Sequence, residues 1–171
     1  MRDKTKKLTK SAILLAVMMI FLYLRTIIPG YQLAFYFLAS LVPGIVVIEY
    51  GIKQGAIFVA ASFLLSLIMP IDKLSFLLFY SFFGLYGIIK FLFEKISFRI
   101  VILASKIVYF TAVFFLNMYF GARIANIIPS VMLEYNIWIV LLVAIVVFVL
   151  YDIMYTSFSA FYVNKIMRYI K

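Results

Sequence analysis

The feature that most constrains this chain is a succession of long apolar runs, each about as long as a helix that crosses a lipid bilayer. The runs cover residues 11–28, 32–50, 54–70, 74–93, 100–121 and 136–163. Because they are continuously apolar, they are typical of helices, whereas the strands of a membrane barrel alternate in polarity over about ten residues. The pattern predicts an all-α membrane protein: a compact bundle of about six transmembrane helices that forms one integral membrane domain over residues 1–171.

Composition indicates the same class, because apolar residues make up 68% of the chain and charged residues only 13%. Soluble globular domains contain about 45–50% apolar and about 25% charged residues. A chain of 171 residues has too little interior to bury so much Ile, Leu, Val and Phe. Soluble globular and intrinsically disordered folds are therefore excluded, and lipid must cover the remaining apolar surface.

The basic residues are distributed unevenly around the predicted spans, and their positions predict the topology. With six spans, twelve of the sixteen Lys and Arg residues fall on one side of the membrane: Arg2, Lys4, Lys6, Lys7, Lys10, Lys53, Lys90, Lys95, Arg99, Lys165, Arg168 and Lys171. Loops rich in Lys and Arg face the cytosol, so we expect a multi-pass protein of the plasma membrane with both termini cytosolic. The net charge of +10 then lies mainly at the inner leaflet, where we expect anionic lipids as partners and no nucleic acid.

The chain lacks the residues on which most enzymatic sites depend. It contains no Cys and no His, which excludes thiol nucleophiles, zinc sites and imidazole acid–base chemistry. It also lacks a phosphate-binding glycine loop, an HExxH motif and a serine in a nucleophile-elbow context. We therefore expect no enzymatic activity, no cofactor and no metal site, and any ATP-driven process would need separate ATPase subunits.

Two charged residues lie inside predicted spans, where a charge is costly and usually faces protein or water. Lys106 is about 10 Å from Arg99 along its helix, so its ammonium either reaches the inner headgroups or pairs across helices. Asp152 is about 20 Å from Lys165, too far for its short side chain to reach the surface, so it must be paired, protonated or hydrated. Lys106 is a candidate partner for Asp152, although their estimated depths differ.

Further polar residues cluster near the outer ends of the predicted spans. Asn117 and Arg123 lie near the outer end of the fifth span. They fit either a hydrated rim of the bundle or the polar anchors of a mostly apolar small-molecule pocket that opens outward. Under the second interpretation, Asn117, Arg123, Asp152 and Lys106 are the candidate solute-binding residues.

Small residues four positions apart allow two helices to pack closely, and Ala12 and Ala16 have this spacing directly after the basic leader. Residues 4–95 resemble the substrate-binding S components of energy-coupling factor transporters. The resemblance consists of the leader KTKKLTKSAILLA, the stop at residues 28–30, the segment LVPGIVVIEYGIKQGAIFVAASFLLSLIMP and the later FFGLYGIIKFLFEK. The chain is also similar to a group of small bacterial membrane proteins that share these features.

The resemblance implies a six-helix bundle that binds a vitamin or similar micronutrient from the outside. It also implies docking on a membrane coupling subunit that is driven by two ATPase subunits. In that family the small-residue motif of the first helix contacts the coupling subunit, which assigns this role to Ala12 and Ala16. Two alternatives stay open: a non-transport scaffold or assembly protein of the bacterial cell envelope, and an enzyme that acts on lipid-like substrates.

Overall fold

The computed structural model describes residues 2–28, 30–69, 78–124 and 136–167, with side chains for 4–28, 30–69, 78–120 and 136–167. About 91% of the described residues are helical and none of them forms a strand. The helices are α1 (Arg2–Ile27), α2 (Gln32–Tyr50), α3 (Ile52–Ser66), α4 (Leu85–Phe93), α5 (Arg99–Ile124) and α6 (Ile137–Phe161). One π-helical segment, Phe79–Gly84, precedes α4 and another, Tyr162–Ile166, follows α6. The predicted all-α class is confirmed for this part of the chain.

Four of these helices are long and apolar enough to cross a membrane: Lys4–Ile27 within α1, Gln32–Tyr50, Arg99–Phe120 within α5, and Ile137–Ile166. Two other apolar helices are shorter, Ile52–Ser66 and Phe79–Phe93. The end of the third predicted span at Pro70 and the start of the fourth at residues 74–77 lie outside the described residues. A helix therefore occurs at each of the six predicted positions, and four of the helices have the length and hydropathy of a membrane protein.

A single residue, Gly51, separates α2 from α3. Its φ of +85° lies in the left-handed region, which glycine adopts without steric cost. The Gly51 amide donates to the Val47 carbonyl at 2.9 Å and so closes the last turn of α2. The chain therefore passes from α2 to α3 without a loop, which agrees with the very short interruption between the second and third apolar runs of the sequence.

The described contacts divide the chain into two compact units, Met1–Phe91 and Leu92–Lys171. In the first unit α2 is the central helix, because half of its span is buried, against 17% for α1. Gly55 on α3 permits a close approach to α2, since a Cβ at this position would lie 2.3 Å from Val47 Cγ2. The sequence predicts that all the helices form one bundle. That prediction depends on how the two units associate, and it stays a prediction.

Aromatic side chains fill the first unit where the π-helical segment lies against α2. Tyr36 stacks on Phe83 with ring centroids 5.3 Å apart, and its centroid lies 5.7 Å from that of Phe79. Ser62 and Ser66 of α3 are buried as well, and each hydroxyl donates to a carbonyl of its own helix. Small residues at four-residue spacing thus pack inside the unit at this point of α3.

The second unit contains α5 and α6, and most of their apolar surface faces outward. Only 11% of the α5 span and 17% of the α6 span are buried. Large apolar side chains such as Val108, Leu142 and Val146 are more than half exposed. A hydrocarbon environment, or another apolar protein surface, is needed to cover them.

Candidate functional site

The two charged residues inside the fifth and sixth predicted spans form an ion pair. Lys106 Nζ lies 3.0 Å from Asp152 Oδ1 and 2.9 Å from Asp152 Oδ2, so the ammonium contacts both carboxylate oxygens. The Lys106 side chain is 7% exposed and the Asp152 side chain 18%. The pairing that the sequence suggested is therefore confirmed, and the charge of Asp152 is balanced mainly within the protein.

A third charged side chain reaches the same ammonium. Glu94 lies in the turn between α4 and α5, and its Oε1 is 3.5 Å from Lys106 Nζ. This side chain is 45% exposed, so solvent weakens its attraction to the lysine. Lys106 thus faces one close, mostly buried carboxylate and one more distant, hydrated carboxylate. We call Lys106, Asp152 and Glu94 the ion cluster.

Helical periodicity positions the ion pair. Phe110 follows Lys106 by four residues on α5, and Phe148 precedes Asp152 by four residues on α6, so each ring lies on the same helix face as its charged neighbour. Phe110 and Phe148 stack with centroids 4.7 Å apart and planes 11° from parallel. Together the two contacts show that α5 and α6 run antiparallel, with an apolar ring stack about one helical turn from the ion pair.

The ion cluster is suited to linking α5 and α6. An ammonium has three N–H donors and no acceptor, whereas an ionised carboxylate only accepts. An anionic solute that approached Lys106 would therefore compete with Asp152 for donors that are already engaged. Removal of one charge would leave the other in a poorly hydrated place, so the two residues depend on each other. Within the described ranges, no three Asp or Glu side chains come together as a metal site would require.

The other two predicted solute-binding residues do not join the ion cluster. Asn117 is about 16 Å from Lys106 along α5, it is largely buried, and its Nδ2 donates to the Val113 carbonyl at 2.8 Å. Arg123 belongs to α5 by its backbone, but its side chain lies outside the described residues. The structure therefore brings together Lys106 and Asp152 and keeps Asn117 apart. A solute-binding role for any of the four residues stays a prediction.

Both predicted docking residues on α1 are exposed. Ala12 and Ala16 lie one turn apart on the same side of α1. Met18 and Met19, by contrast, are buried and form the part of α1 that packs within the first unit. Ala12 and Ala16 thus belong to an open face of α1, where their small side chains would allow another helix to come close.

Next to this face, α1 and α3 border an open groove of about 460 Å³. The N-terminal end of the groove carries Lys4 and Lys7, and its apolar wall includes Leu8, Leu15 and Ile57. The volume lies in the range of about 300–1,000 Å³ that is typical of small-molecule sites. The groove therefore combines a positively charged end with an apolar wall.

One ion pair of the first unit is not evident from sequence patterns. Lys10 Nζ on α1 lies 2.5 Å from Oε1 of Glu49 near the end of α2, and the Glu49 side chain is 8% exposed. Beside it, the Lys7 ammonium lies 4.8 Å from the centre of the Tyr50 ring. The sequence feature that could have indicated the Lys10–Glu49 pair is the predicted topology, which puts the basic leader and the end of the second span on one side of the membrane. The contact between Glu94 and Lys106 could have been expected from the short connection between α4 and α5, which keeps Glu94 near the start of α5.

No protein-family model, curated protein or solved structure matches this chain.

Proposed function

We propose that this chain is the membrane-embedded solute-binding subunit of an importer of the energy-coupling factor type. It has six spans with both termini in the cytosol, and it captures a small micronutrient at the outer face. It docks through α1 on a membrane coupling subunit that separate ATPase subunits drive. The observation that carries the proposal is the exposure of both Ala12 and Ala16 on α1.

Contacts within the first unit support the proposed topology. The Lys10–Glu49 pair brings the basic leader to the end of α2. A Cβ at Gly55 would meet Val47 and Ile88, so the start of α3 lies beside the end of α2 and the last part of α4. The basic residues of the leader, of the start of α3 and of the end of α4 therefore share one end of the unit. Such a concentration of positive charge is typical of the cytosolic side.

The exposed alanines support docking by α1. Transmembrane helices associate through van der Waals packing, and small side chains let two helix backbones approach closely. Ala12 and Ala16 form a shallow strip on α1, and it lies near the proposed cytosolic end. A coupling helix that packed on this strip would be placed to receive a movement driven by cytosolic ATPases.

Solute capture is assigned to the outer end of α5. Asn117 and Arg123 lie there, whereas the ion pair is about 16 Å deeper than Asn117. Lys106 and Asp152 hold α5 against α6. They contribute to solute binding indirectly, because they fix the position of the helix that carries Asn117 and Arg123. Native mass spectrometry of gently purified protein tests this step, because a bound micronutrient would appear as a defined added mass. Asn117→Ala would lower its occupancy.

Copurification tests the docking step. Ala12→Trp and Ala16→Trp fill the strip, and we expect them to abolish recovery of a coupling subunit and its ATPases with the tagged chain. Ile13→Trp and Val17→Trp are the matched control, since they place the same ring at the same spacing on exposed positions about 100° around α1. Equal recovery with the alanine variants and the wild-type chain would contradict the proposal.

A second candidate is a non-transport scaffold of the cell envelope. The observation that favours it is the dense aromatic packing of the first unit, where Tyr36, Phe79 and Phe83 are all buried. A scaffold needs a solid interior and no solute. Native mass spectrometry distinguishes the two candidates. A solute-binding subunit would show the added mass of a bound small molecule, whereas a scaffold would show none in any preparation.

A further inference from the structure

The groove between α1 and α3 has a charged end and an apolar wall that follow the axis of α1. Lys4 and Lys7 lie at its N-terminal end, and the wall from Leu8 to Leu15 extends for about 10 Å. The large apolar side chains Leu8 and Ile57 remain 73% and 62% exposed. We propose that this groove binds one anionic phospholipid of the inner leaflet, with its phosphate at Lys4 and Lys7 and one acyl chain along the apolar wall.

Charge complementarity favours an anionic lipid. Lys4 and Lys7 both line the groove. The Lys7 ammonium lies 4.8 Å from the centre of the Tyr50 ring, and a rotation of its flexible side chain would bring it to a phosphate at the end of the groove. Ammonium groups bind phosphate oxygens through charge-assisted hydrogen bonds. Ser11 and Gln54 also line the groove and supply neutral hydrogen-bonding groups for the glycerol esters. A lipid without net charge would gain less from the two lysines.

The dimensions fit one acyl chain. A single leaflet has a hydrocarbon depth of about 15 Å, half the thickness of the bilayer core. A phosphate at the lysine end would therefore direct a chain along the apolar wall of about 10 Å towards the middle of the bilayer. Ala61, which also lines the groove, leaves room for that chain because its side chain is a single methyl group.

The lipid groove and the docking strip on α1 are separable. Ala12 borders both, but Ala16 is not among the residues that line the groove. Lys4, Lys7 and Ala61 belong to the groove and not to the strip. Their substitution therefore tests lipid binding while leaving the docking alanines intact, and docking can succeed or fail independently.

Native mass spectrometry of the full chain in neutral detergent provides the test, with dioleoyl phosphatidylglycerol as the probe and dioleoyl phosphatidylcholine as its neutral control. We expect one phosphatidylglycerol per chain at concentrations where phosphatidylcholine is not retained. Each lysine contributes about fivefold in affinity, so Lys4→Gln with Lys7→Gln lowers the phosphatidylglycerol affinity about 25-fold. Ala61→Phe fills the wall and also lowers this affinity.

Lys6→Gln with Lys53→Gln is the matched control, because it removes the same charge at exposed positions outside the groove. This variant keeps the phosphatidylglycerol affinity within about twofold of wild type if the site is local. Equal losses from the two lysine pairs would overturn the proposal, and so would equal retention of the two lipids. Circular dichroism of each variant confirms that the helices are intact.

Discussion

Lys106 on α5 contacts both carboxylate oxygens of Asp152 on α6, at 3.0 and 2.9 Å. The contact joins two helices that otherwise expose most of their apolar surface. Breaking a buried pair by removing one partner is strongly destabilising, because the remaining charge stays in a poorly hydrated site. The ion pair should therefore control how firmly α5 holds α6.

A double-mutant cycle measures this dependence. We expect Asp152→Asn to lower the free energy of unfolding by about 2–3 kcal/mol. Adding Lys106→Gln should cost little more, since it removes the charge that the first substitution left behind. Unfolding of the detergent-solubilised protein with increasing denaturing detergent provides the measurement. Strictly additive losses would mean that the two residues do not act as a pair.

The weaker carboxylate of the ion cluster should matter more when the stronger one is absent. Glu94 is 45% exposed and 3.5 Å from Lys106 Nζ, so Glu94→Gln alone should cost at most about 0.5 kcal/mol. In the Asp152→Asn background, the Glu94 carboxylate still lies close to Lys106, and we expect the same substitution to cost about 1 kcal/mol. The same unfolding assay compares the two values. An identical cost in both backgrounds would exclude Glu94 from the cluster.

The close approach of α2 and α3 should be intolerant of a methyl group. A Cβ at Gly55 would lie 2.3 Å from Val47 Cγ2, and Val47 is buried. We expect Gly55→Ala to destabilise the protein by about 1–2 kcal/mol, because overpacking outweighs the gain in helix propensity. Val47→Ala in the same chain should reduce that cost by removing the clashing methyl. A Gly55→Ala protein as stable as wild type would contradict the close contact.

The Lys10–Glu49 pair should respond asymmetrically to loss of either charge. Glu49 is 8% exposed and Lys10 33%, so an ammonium left behind is hydrated more easily than a carboxylate left behind. We expect Lys10→Gln to cost about 2 kcal/mol and Glu49→Gln about 1 kcal/mol. Lys6→Gln, on the exposed side of α1, serves as the control and should change stability by less than about 0.5 kcal/mol. Thermal unfolding would show the opposite order if Glu49 were well hydrated.

Hydropathy predicts the bounds of some helices correctly and misses the ends of others. The predicted span 32–50 matches α2 (Gln32–Tyr50), because a positive-φ glycine follows it at once. For α1 the apolar run predicts a start at residue 11, whereas the helix begins at Arg2. Lys and Leu are good helix formers, so the polar leader continues the helix beyond the apolar region. Hydropathy does not detect this extension.

The depth of Asp152 shows where sequence reasoning was wrong. Measured from the inner ends of the two spans, Lys106 and Asp152 are predicted to differ in depth by about 10 Å, yet they are in contact. The reason is that α6 continues through the π-helical segment Tyr162–Ile166 and extends beyond the start of α5. Apolar runs define segments one at a time, and the stagger between two helices depends on side-chain contacts such as the Phe110–Phe148 stack.

Other features of the site depend on contacts that the sequence does not encode locally. The π-helical segment Phe79–Gly84 has no distinct apolar period, so the pattern predicts only a helix there. The groove beside Ala12 depends on where α3 lies relative to α1, which a list of spans does not contain. Ala12 and Ala16 are exposed on α1, and the docking role that the resemblance implies for them stays a prediction.

The membrane topology on which every functional proposal depends can be measured with single cysteines, because the chain has none of its own. Thr5→Cys and Asn164→Cys mark the two ends of the described chain, and Tyr31→Cys marks the connection between α1 and α2; all three positions are exposed. In intact cells, a membrane-impermeant maleimide should label only Tyr31→Cys, and permeabilisation should make the other two reactive. Labelling of Thr5→Cys and Asn164→Cys on opposite sides of the membrane would contradict the account.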